Sequence, residues 1–105
     1  MEYKHIADLP ALIGEIPEDA IISRTICKEP GEVNTTLFGF AAGQELTEHT
    51  ATKPALLYFL RGRARLTLGD DAQEGAPGTF VYMPPHLPHS ILAEEETVML
   101  LVLVG

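Results

Sequence analysis

The chain has one cysteine, Cys27, and no tryptophan. A single thiol cannot close an intrachain disulfide, so stability must come from a buried core, and a cytoplasmic location is the expectation. Cys27 stands in the apolar-rich run AIISRTIC, which predicts a buried, inert thiol rather than a reactive one. Basic residues are scarce: seven against fifteen acids, a formal net charge of −8. That balance repels phosphate backbones and anionic lipid, so nucleic acid and membrane surfaces are not expected partners. Arg61, Arg63 and Arg65 alternate and read as a solvated or salt-bridged face. Long apolar runs are missing too. The longest, Val98 to Val104, is far too short to span a bilayer, and the opening MEYKHIADLP lacks the apolar stretch of a signal peptide.

Helical signals are nearly absent. The one candidate is Leu9–Ile16, where Pro10 sits near a helix start and Pro17 would end it. What the chain does have is short β-rich runs split by Gly, Pro and Asp: Ala20–Cys27, Val33–Ala41, Ala55–Leu60, Arg63–Leu68, Thr79–Met83 and Thr97–Val104. Such runs at roughly ten-residue intervals predict an all-β sandwich or barrel. With 105 residues, 46% of them hydrophobic and 21% charged, one domain with one core is expected. We place it over residues 20–105, behind an N-terminal arm of residues 1–19.

The face patterns differ between runs. In RARLTLGD, Arg63, Arg65 and Thr67 alternate with Ala64, Leu66 and Leu68, giving one wet face and one dry. By contrast, ALLYFL and VMLLVLV are apolar on both faces, and the second face needs a cover. A partner subunit is the simplest cover, predicting a homodimer. The competing reading folds the arm, residues 1–19, over that face.

The stretch PPHLPHS places His86 and His89 three residues apart. Three prolines in five residues exclude a helix, and in an extended chain the two rings point to opposite sides. At most one enters a given pocket unless a turn at His86 re-aims it.

Two spacings connect these histidines to the rest of the chain. The segment GQELTEHTATKPALLYFLRG runs from Gly43 through His49 to Gly62, and Gly78-TFVYM-Pro84-Pro85-His86-Leu87-Pro88-His89 follows it. Together they resemble the two motifs of the cupin superfamily, in order and with matching gaps, over residues 43–93. The strand rhythm around them is similar to that of the small single-domain, RmlC-like cupins. The resemblance implies a double-stranded β-helix, or jelly-roll barrel, with His89 pointing into it. The position of His86 is usually glycine in that family. His is among the residues that tolerate positive φ, so His86 reads first as a turn residue at the barrel mouth, and second as a rim or ligand group.

Departures from the pattern bear on function. The resemblance implies a metal held by two histidines and a glutamate of the first motif and a histidine of the second. Here His49 and His89 match, but Ala51 replaces the second histidine and Ala55 the glutamate. A buried carboxylate without its cation is costly, so the losses make joint sense. His49 and His89, with His86 as a weaker third, remain candidate ligands for a divalent Zn, Ni, Fe or Cu ion. Glu48 adjoins His49 and should face away, while Glu45 shares the parity of His49 only if no bulge intervenes.

The leading reading is a small-molecule-binding cupin with a pocket lined by His49, Ala51, Ala55, His86 and His89. The alternatives are a divalent-metal-dependent enzyme of the dioxygenase or isomerase class, and a structural or regulatory dimer with no ligand chemistry. No nucleophile or orienting third group marks a catalytic set.

Overall fold

The computed structural model describes residues 2–105; Met1, the first residue of the expected arm, lies outside the described residues. Nine strands follow a short 3-10 turn at Pro10–Leu12: β1 (Ile21–Glu29), β2 (Val33–Phe40), β3 (Glu45–His49), β4 (Ala55–Arg61), β5 (Ala64–Leu68), β6 (Asp71–Gly75), β7 (Phe80–Met83), β8 (His89–Ala93) and β9 (Thr97–Val104). They form two antiparallel sheets, one in the order β1-β2-β9-β4-β7 and one in the order β3-β8-β5-β6. The architecture is all-β, a jelly roll whose two sheets face each other without closing into one hydrogen-bonded ring. Among the described residues no helix is long and apolar enough to cross a membrane.

The expected helix over Leu9–Ile16 shrinks to the 3-10 turn: Pro10 starts it, and the backbone leaves the helical region at Gly14, φ +64°. All six expected strand runs are present. Three strands, β3, β6 and β8, were not among them.

Period-two alternation builds the interior. Phe40, Leu57, Phe59, Leu66, Met83, Ile91 and Met99 point inward and form one cluster at essentially zero exposure. Each such side chain contributes about 1.5–3 kcal/mol through removal from water, so this cluster dominates stability. In β5 the expected wet and dry faces appear: Ala64 and Leu66 are buried and Arg65 is exposed. Arg63 meets Glu74 at 2.7 Å and Arg61 meets Glu96 at 3.8 Å, exposed pairs that contribute little. Gly62, at φ +89°, turns β4 into β5 where an added Cβ would run into the backbone of Glu96 and Thr97.

The outer face of the five-stranded sheet has its own cover at one end. Ile13 and Ile16 of the arm are buried against Leu37, Ala41 and Val98. They seat on Gly39, where an added Cβ would stand 2.8 Å from Ile13 and 2.9 Å from Ile16. The arm therefore takes over part of the surface that led to the expectation of a partner subunit. Cys27 is free and half-buried, less enclosed than the sequence suggests. A bulge between Thr25 and Cys27 sets it opposite Thr35, beside the arm.

Candidate functional site

The site grows from a single irregularity in β3. Leu46 opposes Ile91 of β8, but the next matched pair is His49 with His89. Two residues, Thr47 and Glu48, thus stand against Ser90 alone. That extra residue reverses the side-chain parity of the strand. Leu46 packs against the interior, and His49, three residues on, faces the same way as His89 and Ile91. The bulge also decides the fate of the two acids. Glu45 opposes Leu92 rather than Ile91, and both Glu45 and Glu48 are exposed, so neither joins the histidines.

Between the two rings the centroid separation is 4.1 Å, with planes inclined at 60°. His89 is only 6% exposed, whereas His49 is exposed. The pair runs from the inside of the barrel to its mouth. Both rings are oriented by the same local device. Nδ1 of His49 donates to the Thr47 carbonyl at 2.8 Å, and Nδ1 of His89 donates to the Leu87 carbonyl at 2.9 Å. A carbonyl only accepts, so each bond requires the proton on Nδ1; in the neutral form of either ring Nε2 then carries the free lone pair. Among the described residues neither Nε2 has a hydrogen-bond partner, and no buried side-chain nitrogen or oxygen is left unsatisfied. The His89 Nε2 must therefore keep contact with open space.

The pKa of His89 is lowered from the usual 6.5, first by burial, then by the neighbouring His49, with the Leu87 carbonyl opposing the shift. Its neutral form is favoured at physiological pH. What the arrangement offers is a pair of adjacent imidazoles, each with Nε2 turned away from its carbonyl tie, at the edge of an apolar interior.

The other expected site residues take different places. His86 is exposed at φ +70°, and its amide donates to the Ala51 carbonyl at 2.7 Å, tying the β7–β8 turn to the β3–β4 loop. Ala51 is half-buried in that loop. Ala55 is 2% exposed and belongs to the core, with Met83 and Leu103 as cross-strand partners. Among the described residues no group of three or more His, Cys, Asp or Glu stands close enough to hold a metal ion. His86 does not supply a third donor, and the residues present do not fit the four-ligand centre that the two motifs imply. The orienting carbonyls of Thr47 and Leu87 had no signal in the sequence, since any residue carries a carbonyl.

Comparison with known proteins agrees with this architecture. The family model described as the cupin domain matches residues 36–105. A conserved protein of unknown function from Streptococcus pyogenes is similar at 30% identity over 100% of this chain and 90% of that one, with a TM-score of 0.85. A cupin superfamily protein from Desulfitobacterium hafniense is similar at 25% identity over 96% and 93%, also with a TM-score of 0.85. A cupin 2 conserved barrel domain protein from Leptotrichia buccalis is similar at 29% identity, over 90% of this chain and 46% of that one, with a TM-score of 0.83. No curated protein matches. With the family model covering two thirds of its length and the jelly roll carrying both motifs, this chain belongs to the cupin family.

Proposed function

We propose that the chain is a small-molecule-binding cupin in which the His49–His89 pair receives the ligand at the barrel mouth. One observation carries the reading: both Nδ1 atoms are tied to backbone carbonyls, so two Nε2 lone pairs are held ready in rings 4.1 Å apart. Nε2 atoms that accept select a partner with hydrogen-bond donors, such as a hydroxyl, amine or amide group. A chain of net charge −8 disfavours anionic ligands further. Apolar neighbours such as Leu87 and Leu46 suit a ligand with a carbon skeleton behind its donors.

The test is a thermal-shift screen of small polyols, amines and amides, followed by calorimetry. Compounds with paired donors should raise the melting temperature of the wild type but not of His89→Ala or His49→Ala. A shift that survives both substitutions would place the ligand elsewhere and overturn the reading. The same ring orientation also suits a cation, because metal-bound histidines hold their second nitrogen in this way. Elemental analysis of untagged protein separates the two. Near-stoichiometric Zn, Ni, Fe or Cu that vanishes in His49→Ala would replace the organic ligand with a metal whose remaining donors come from outside the chain.

A further inference from the structure

The two ring ties are alike in form but not in support. His49 takes its carbonyl from Thr47, inside the bulge of the edge strand β3. His89 takes its carbonyl from Leu87, in the Pro84–Pro88 link that leads into β8, a strand flanked by β3 and β5. That link is held from both ends. Upstream, the Leu87 amide donates to the Pro84 carbonyl at 3.4 Å, closing a turn with Pro85 second and His86, at φ +70°, third. Proline second and a positive φ third are what a type II turn requires. The His86 amide donates in turn to the Ala51 carbonyl at 2.7 Å. Downstream, the Pro88 carbonyl accepts from the Gly69 amide at 2.8 Å, one step beyond the Leu68–His89 pair of β5 and β8.

Leu87 lies between these anchors. Its side chain is half-buried against the core cluster and beside Gly69, where an added Cβ would stand 3.5 Å from its Cδ1. Packing of the side chain does not by itself aim the carbonyl. A carbonyl turns with its peptide plane, through ψ of its own residue and φ of the next. Pro88 restrains both: its ring holds its own φ at about −65°, and its Cδ keeps Leu87 in the extended region. Residue 88 is exposed, so burial gives no reason for a proline there.

We infer that Pro88 is a positioning residue for His89: by stopping rotation of the Leu87–Pro88 peptide plane, it holds the carbonyl that keeps the ring proton on Nδ1 and leaves Nε2 to accept. Its use to the protein rests on the histidine pair being the ligand site, whereas the tautomer itself is measurable in the free protein.

Pro88→Ala and Pro88→Gly release the plane in two steps. The site is exposed, so Pro88→Ala should keep the wild-type circular dichroism and lower the melting temperature by only about 2–8 °C. The readout is nitrogen NMR of the free protein at about pH 8, where His89 is neutral. In the wild type the two His89 nitrogens should be well separated, one protonated and one bare. In Pro88→Ala they should approach each other as the ring exchanges between tautomers, with the tautomer ratio changed about fivefold, the worth of one hydrogen bond. Pro88→Gly should move them further. The His49 nitrogens, tied to Thr47, should stay in place. His89 nitrogens unchanged in both variants overturn the inference. So does an equal drift at both histidines, which would mean that the whole mouth has loosened. A selective response of His89, in a protein whose ligand is indifferent to His49→Ala and His89→Ala, would remove the binding reading and leave the role of Pro88 standing.

Discussion

The two ends of the barrel interior are built from the same strands and have opposite character. On β8 the inward positions are His89, Ile91 and Ala93: Ile91 and Ala93 enter the closed core, and His89 meets His49 at the mouth. On β3, Leu46 serves the core, and the bulge then turns His49 to the mouth. At the packed end the buried Thr97 hydroxyl is satisfied by the Arg63 and Glu95 carbonyls, and the apolar side chains are held by burial. The mouth keeps two polar rings in place by carbonyl bonds and leaves one nitrogen on each without a partner. One sheet can thus be a stable scaffold over most of its length and a binding surface over its last residues.

The sharpest way to break this contrast is in the packed end. Phe59 is fully buried with its ring over Gly75, so Phe59→Ala should lose about 3–5 kcal/mol of stability, read from urea unfolding. A loss below about 1 kcal/mol would mean that the interior is loosely filled. The arm should come next. Ile13→Ala or Ile16→Ala removes a side chain seated on Gly39 and should cost about 2–4 kcal/mol, whereas a loosely attached arm would show almost none.

At the mouth the effects are smaller and depend on pH. His89 has a folded pKa below 6.5, so the unfolded chain takes up its proton first as the pH falls. Stability from this group is therefore complete above about pH 6.5, declines as pH drops toward the folded pKa, and falls no further below it. Melting curves between about pH 8 and pH 5 should show that decline in the wild type and lack this component in His89→Leu. An unchanged slope in the variant would assign the pH response to other groups. The smallest effect on folding belongs to His49→Ala: the residue is exposed, so stability should move by less than about 0.5 kcal/mol while ligand binding is lost.

The contrast also explains what could be read in the sequence. Strands with strong β patterns, such as ALLYFLR and TVMLLVLV, were legible because both the core and the outer face select apolar residues there. β6 was not, because DAQEG is an exposed strand with a single buried residue. β3 and β8 were hidden for related reasons: ELTEH has no buried residue, and HSILA starts directly after a proline. The motif spacing pointed to His49 and His89, and the structure pairs them. Sequence parity could not reveal the bulge at Thr47–Glu48, because a bulge changes which side a residue faces without changing its identity. The motif resemblance placed Ala55 in the pocket wall, at the position of the family's glutamate; in the structure the residue packs in the core at 2% exposure.

The central claim concerns one atom on each ring, and nitrogen NMR reads it directly. Long-range proton–nitrogen correlation spectra of the neutral rings should show His49 and His89 both protonated at Nδ1 and bare at Nε2. Addition of a donor-bearing ligand should then move both Nε2 signals together. Either ring carrying its proton on Nε2 in the free protein would contradict the account.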